Sequence, residues 1–366
     1  MSNTEISPTT RKDFSTAMSG DQRHGYTYPL RVALVIAGLY SGRHEKKFLT
    51  VLCVIYHLIC CVLSTLLCLT CVAVLCLWLP TVEKTIHSLA VTTVGMYWYL
   101  TLTINNWIFF YNCHRADGLF RLFQNIKDET ETMKTKNINS QPAKEKRNQI
   151  IIFLVSTILV AGNTGIKLWD MTHSKILDPI FNSMTLPTLN ISRGIYVSIQ
   201  CVSASGSVLF YIQSLYQPAF FVSICYTVYT MMSNFNEHFR ECVKRSVQET
   251  IDHIHEYRMM QLRLSELAES INRLFKFYLA NTITDLVIAS LVFLYLLSTP
   301  QMRAFDFFGQ LTMSYWFISS GLIILSYVFF SQLIADASGE AYGHLLNLMD
   351  DQTELTVTQS HQVKSN

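Results

Sequence analysis

Leu49–Leu79 reads LTVLCVIYHLICCVLSTLLCLTCVAVLCLWL, 31 residues without one charged side chain. It lies inside a longer uncharged run, the 35 residues between Lys47 and Glu83. A helix crosses the hydrocarbon core of a bilayer with about 20 apolar residues, so this stretch is long enough to span. Further runs follow along the chain. Uncharged gaps of 30, 19 and 43 residues separate Lys84 from Arg115, Arg147 from Lys167 and Arg193 from Glu237. Lys276 to Arg303 is broken only by Asp285, and 29 uncharged residues separate Asp306 from Asp336. One soluble core in a 366-residue chain cannot hide six such runs, whereas helices satisfy their own backbone groups in lipid. The fold class expected is all-α, a polytopic transmembrane helix bundle. Its six spans are Leu49–Leu79, Ile86–Tyr111, Gln149–Trp169, Ile195–Met232, Phe277–Leu297 and Phe307–Ile334.

Composition agrees. Half of the residues are hydrophobic and only 15% are charged, against roughly a quarter in soluble domains. The net charge of +2 is too small to suggest a nucleic-acid partner. The 22 Phe, 18 Tyr and 5 Trp exclude disorder for most of the chain. Eight Pro and 14 Gly exclude a collagen-like or low-complexity chain.

Met1–Tyr28 is polar and has no apolar core, so it does not read as a signal peptide. Seven Lys/Arg precede span one, eight lie from Arg115 to Arg147 and seven from Arg240 to Lys276. With Lys364 they put 23 basic residues on one side, against five on the other. The positive-inside rule then makes the N-terminus and the large loops cytoplasmic, in a plasma-membrane protein surrounded by lipid. The sequon Asn190-Ile191-Ser192 falls in an outer loop, where glycosylation and chance occurrence are both open readings. Two spans meeting near Gln217-Pro218 would put Arg240–Lys276 outside, so one long fourth helix is expected instead.

The chain divides into a cytoplasmic N-terminal segment 1–48, the bundle 49–334 with a cytoplasmic hairpin 234–276, and a polar tail 335–366. Pro29–Gly42 is apolar but too short to cross, and reads as an interfacial helix. Between Pro218 and Pro300 there is no Gly or Pro for 81 residues, so spans four and five are expected to continue as helices into the cytoplasm. Met260, Leu264, Leu267, Ile271, Leu274 and Tyr278 step by four and three, a heptad-like seam. Packing between subunits through Leu264, Leu267, Ile271 and Leu274 is expected; a hairpin packed within one chain is the alternative. Thr132–Arg147 reads as a flexible linker, and the residues after Met349 read as disordered.

Six of the ten Cys lie in span one and none in an outer loop, so no disulfide framework is indicated. Cys68 and Cys71 form a C-x-x-C pair without a second pair, and small apolar packing is its better reading. No phosphate loop, zinc helix, nucleophile elbow or dinucleotide turn is present. His253 and His255 are two apart and point in different directions on a helix. No enzyme activity, cofactor or metal site is expected. Lys167 sits at a span end and reads as a snorkelling anchor. Asp285 lies inside span five near Asn281, Thr282 and Thr284, and is read either as a structural polar network or as a gating or cation-path residue. Aromatic and neutral polar residues collect in the outer halves of the spans. They are Tyr97 and Trp98, Asn163 and Trp169, Tyr196 and Gln200, Tyr295, and Phe308, Gln310, Tyr315 and Trp316. Such a mixture suits a small-molecule pocket, and equally an interfacial aromatic belt. Tyr97, Trp98, Asn163, Tyr196, Gln200, Tyr295, Gln310, Tyr315 and Trp316 are the ligand candidates.

Several short segments resemble the insect chemoreceptor superfamily, the gustatory and odorant receptors with the gustatory receptor-like proteins of other animals. Pro29-Leu30-Arg31 with Ala37-Gly38-Leu39 looks like that family's segment before its first span. Leu262-Arg263-Leu264, Leu267 and Ile271-Asn272-Arg273-Leu274-Phe275 look like the start of its fifth helix. Ala335 with Gly339-Glu340-Ala341 looks like its link to a seventh helix. The resemblance covers roughly residues 29–349 and implies a chemosensory, gustatory-type receptor. It further implies a ligand-gated cation channel, a small-molecule ligand, and a homo- or hetero-tetramer of related subunits. The chain departs from that family after Ile334, where neither an apolar run of spanning length nor the T-Y-x5-Q-F-like signature follows. A truncated chain or a divergent relative without the pore helix is therefore expected, one that does not conduct alone. The alternative functions are a non-conducting membrane regulator on the same fold and a G-protein-coupled receptor. The basic N-terminus argues against the second, and no inverted repeat suggests a transporter.

Overall fold

The computed structural model describes residues 47–78, 86–115, 118–138, 142–173, 193–299 and 307–364. Eight helices occur among them: α1 Lys47–Trp78, α2 Ile86–His114, α3 Leu119–Thr135, α4 Pro142–His173, α5 Arg193–Arg245, α6 Val247–Asp252, α7 Ile254–Ser298 and α8 Phe307–Lys364. The all-α bundle is the one expected, and each proposed span falls within a separate long helix, span one as far as Trp78. Pro29–Gly42 and Asn190 lie outside the described residues. Among the described residues, four helical segments are long and apolar enough to cross a membrane: Thr50–Thr70, Arg147–Ile166, Ile254–Ser298 and Gln310–Glu340. The fourth apolar run is one helix of 53 residues, with Pro218 inside it.

The α5–α7 pair forms the long hairpin, with α6 as its turn. Ser246 caps α6, its hydroxyl accepting from the Glu249 N–H at 3.2 Å. The apolar seam of α7 is used inside the chain. Met260, Leu264, Leu267, Ile271, Leu274 and Tyr278 are at most 4% exposed. They share one core with Leu119, Leu122, Phe123 and Ile126 of α3 and with Phe220, Phe221, Val228 and Phe235 of α5. Expected to join subunits, Leu264, Leu267, Ile271 and Leu274 have almost no surface left for a second chain. The cause is α3, whose buried residues Leu119, Leu122, Phe123, Ile126 and Met133 form an amphipathic face.

The segment expected to be a flexible linker is mostly ordered helix. Asn137, at φ 54°, ends α3 in the left-handed region. The Ile138 N–H then bonds Met133 O at 3.0 Å and the Asn137 N–H bonds Lys134 O at 3.1 Å, the two bonds of a Schellman ending. Met133 and Ile138 are both buried there, and α4 resumes at Pro142, a residue suited to a first helical turn. The tail read as disordered is also helical, since α8 runs without a break to Lys364. No Pro, and no Gly after Gly343, interrupts it.

At the hairpin end α8 is held by α5. Asn236 Nδ2 donates to Ala337 O at 2.8 Å, and Arg240 pairs with Glu340. Glu129 of α3 is nearly buried against α7, with Arg263 Nε 3.1 Å from its Oε1. Burial pushes the Glu129 carboxyl above the usual carboxylate range, and Arg263 opposes that rise. A raised folded pKa means that ionised Glu129 weakens the fold at neutral pH. That penalty disappears as pH falls through the pKa. Arg263→Met should therefore cost about 1–2 kcal/mol at pH 7, and clearly less at pH 5. Urea melts at both pH values test this; an equal loss at both would show that only side-chain packing had changed.

Candidate functional site

Polar residues inside the bundle converge on α2. Asn106 is 1% exposed. Its Nδ2 donates to Ser64 Oγ of α1 at 2.7 Å and to Gln213 Oε1 of α5 at 2.8 Å. Gln217 Nε2 donates back to Asn106 Oδ1 at 3.0 Å. The neighbouring Asn105 points to α7: its Nδ2 donates to Thr282 Oγ1 at 2.9 Å, and Asn281 Nδ2 donates to its Oδ1 at 3.0 Å. Consecutive residues on a helix diverge by about 100°, so this Asn-Asn pair ties α2 to helices on two sides. Further along, Asn112 Nδ2 donates to Leu274 O at 2.8 Å. Tyr278 and Tyr327 join α7 to α8 with hydroxyls 2.6 Å apart.

Sequence reasoning missed Asn105, Asn106, Gln213 and Gln217. Their signal was present, as amides inside uncharged runs, where burial requires partners. They also explain why α2 and α5 lack the uniform apolarity of the other spans.

Farther from the hairpin, α4 and α8 meet through polar contacts. Trp316 Nε1 donates to Asn163 Oδ1 at 3.0 Å, and the Tyr315 hydroxyl donates to Leu159 O at 3.0 Å. Gly162 allows this approach, since a Cβ there would lie 3.2 Å from the Tyr315 oxygen. Trp316 also lies 5.7 Å from Phe293, ring to ring. It packs on a cluster formed by Val94, Ala289, Phe293, Leu296 and Met313.

The ligand candidates thus divide. Asn163, Tyr315 and Trp316 come together. Trp98 turns away and packs with Cys68, Tyr99 and Leu102 on the α1 side. Tyr295 and Gln310 are exposed on the bundle surface, so they do not line a shared interior site. The reason is angular: Tyr295 falls on the outward stripe of α7 with Leu291 and Leu294. The side chains of Tyr196 and Gln200 lie outside the described residues. Tyr97 is half-buried. The expected neighbours of Asp285 are organised without it. Asn281 and Thr282 bond Asn105, and exposed Thr284 bonds back to Ala280 O.

Long helices thus cross at a polar hub, with α5 and α7 prolonged into a hairpin. Among solved structures, the insect olfactory receptor OR5 from Machilis hrabei is similar, with a TM-score of 0.68 and 13% identity. The match covers 91% of this chain and 87% of that one. No family model matches the sequence, and no curated protein does. At this identity the likeness is one of fold.

Proposed function

We propose that this protein is a chemosensory receptor subunit of gustatory type that binds a small molecule in the outer half of its bundle. The observation that carries this reading is the fold match over nine-tenths of the chain. The contact between Asn163, Tyr315, Trp316 and Phe293 supports it, because aromatic surface with a few directed polar groups is the makeup of small-molecule sites. The N-terminus and the hairpin face the cytoplasm on the basic-residue asymmetry. In the plasma membrane the subunit joins related subunits in a tetrameric, ligand-gated cation channel. The polar groups Asn105, Asn106, Gln213, Gln217 and Thr282 bond one another between helices. They line no continuous path, so the partner subunits supply the pore lining.

Whole-cell recording under a panel of tastants tests the reading. Current is expected when the chain is expressed with related subunits, and none when it is expressed alone. Trp316→Ala should reduce the response at least tenfold, because it removes both the ring contact with Phe293 and the Asn163 bond. No current with any partner, despite surface expression, would leave a non-conducting regulator on the same fold. Epitope tags at Ser2 and within 132–140 should stain only permeabilised cells. Staining of intact cells at either site would overturn the orientation.

A further inference from the structure

The uncharged run of α2 ends at Arg115, and that of α7 begins after Lys276. The two helices are antiparallel, and contacts along them fix their register. Asn112 Nδ2 donates to Leu274 O at 2.8 Å, the Phe109 and Tyr278 ring centres are 5.3 Å apart, and Asn105 bonds Thr282. Tyr111 therefore stands level with Lys276 and Phe277 to within a turn. The core side of this helix pair is marked by Phe109 and Phe275, whose ring centres lie 6.1 and 6.0 Å from that of Phe220 in α5. Tyr111 and Phe277 each follow those residues by two positions, about 200° round the helix. Both rings consequently leave the pair on its outer side, where Tyr111 is 61% and Phe277 67% exposed.

Each ring carries a cation. The Arg115 guanidinium carbon lies 6.0 Å from the Tyr111 ring centre, and Lys276 Nζ lies 4.9 Å from that of Phe277. Both fall within the reach of a cation–π contact. Arg115 is thus turned back one helical turn toward the bilayer, and both cations stand at the depth of the two rings. On the hairpin side, the first carboxylate of α7 is Glu269, about 10 Å from Lys276 along the axis, and it pairs with Arg273. On the bilayer side Asp285 is buried. Asp117 lies outside the described residues. Away from the hairpin, exposed Ile104 of α2 and Leu291 of α7 continue the outer face as apolar surface.

We propose that the outer groove between α2 and α7 binds an anionic phospholipid of the inner leaflet. Its phosphate lies between Arg115 and Lys276, its glycerol-ester region lies against Tyr111 and Phe277, and its acyl chains run along Ile104 and Leu291. Aromatic rings favour that interfacial depth, and basic side chains at the cytoplasmic surface attract anionic lipids. A free phosphate would use the two cations alone and leave the exposed rings and the apolar surface without a role. The assignment goes beyond the receptor reading and rests on the cytoplasmic orientation of the hairpin, because anionic lipids collect in that leaflet.

Lipid titration of the purified full chain in detergent, read by native mass spectrometry, is the test. The probes are dioleoylphosphatidylglycerol, zwitterionic dioleoylphosphatidylcholine with the same chains, and glycerol phosphate, which has no chains. Phosphatidylglycerol should bind at about tenfold lower concentration than phosphatidylcholine, and glycerol phosphate should not bind. Arg115→Gln with Lys276→Gln should bring phosphatidylglycerol to the phosphatidylcholine level. Unchanged phosphatidylcholine binding then shows that the variant is folded. Lys276→Gln alone should lose the preference several-fold, which decides the matter if the double variant does not fold. A control with the same charge change, Lys244→Gln with Arg258→Gln at exposed hairpin positions, should keep the full preference.

Equal binding of the two lipids by the wild-type chain would overturn the proposal, as would an unchanged preference after loss of Arg115 and Lys276. An equal loss in the control variant would show that only net charge matters, and would overturn the site. Binding of glycerol phosphate as tight as that of phosphatidylglycerol would make this a soluble-anion site instead. The epitope tags read the orientation and the titration reads the site, so the two readings fail separately.

Discussion

Asn106→Leu is expected to destabilise the membrane bundle by about 3–5 kcal/mol. The amide holds three partners at once, Ser64, Gln213 and Gln217. Removing it takes a bond from each of Gln213, Gln217 and Ser64, the last of which keeps its bond to Cys60 O, at about 1–3 kcal/mol for each bond lost in the interior. The unfolded chain in a membrane finds substitute partners, which keeps the total below the simple sum. Thermal melting in detergent measures the loss. A compensating variant separates polarity from shape. Asn106→Leu combined with Gln213→Leu and Gln217→Leu removes most of the orphaned groups and should recover much of the stability. If the single variant melts with the wild type, Asn106 contributes little and its bonds are exchanged for water.

Leu267→Glu with Ile271→Glu should collapse the hairpin end of the protein itself. Both side chains are nearly fully buried among α3, α5 and α7. Each change loses about 1.5–3 kcal/mol of apolar burial and adds a carboxylate to a core beside which burial already disfavours the ionised form of Glu129. Limited proteolysis should cut the 119–138 and 247–275 segments much faster in the variant, before any change in subunit association is read. A protease-resistant hairpin combined with a lost oligomer on native gels would instead restore the seam to an intersubunit role.

Asp285 shows how far residue types carry a reading. Its placement within an otherwise uncharged run marked it as unusual, and the structure keeps it buried. Adjacency in sequence suggested that Asn281, Thr282 and Thr284 would surround it, yet those groups serve α2 or their own helix. A side chain's partners lie across helices, at levels set by packing, and spacing along one helix does not reveal them.

The sequence by itself determined the class of architecture. Long uncharged runs have no low-energy solution except helices in an apolar surrounding, and the absence of Gly and Pro from 219 to 299 requires long helices there. It also determined which faces are apolar, because helical periodicity is local. Only the tertiary structure decided what covers those faces. The α7 seam has the same spacing whether it meets another subunit or α3, and the choice depends on the apolar face of α3 packing against it. The polar hub was likewise invisible, since Asn105 and Asn106 acquire their roles only when α1, α5 and α7 bring Ser64, Gln213, Gln217 and Thr282 within hydrogen-bond distance. The physical reason is that burial and helix formation are set by local composition, whereas a hydrogen bond needs two groups about 3 Å apart, and residues distant in sequence reach that distance only in the packed bundle.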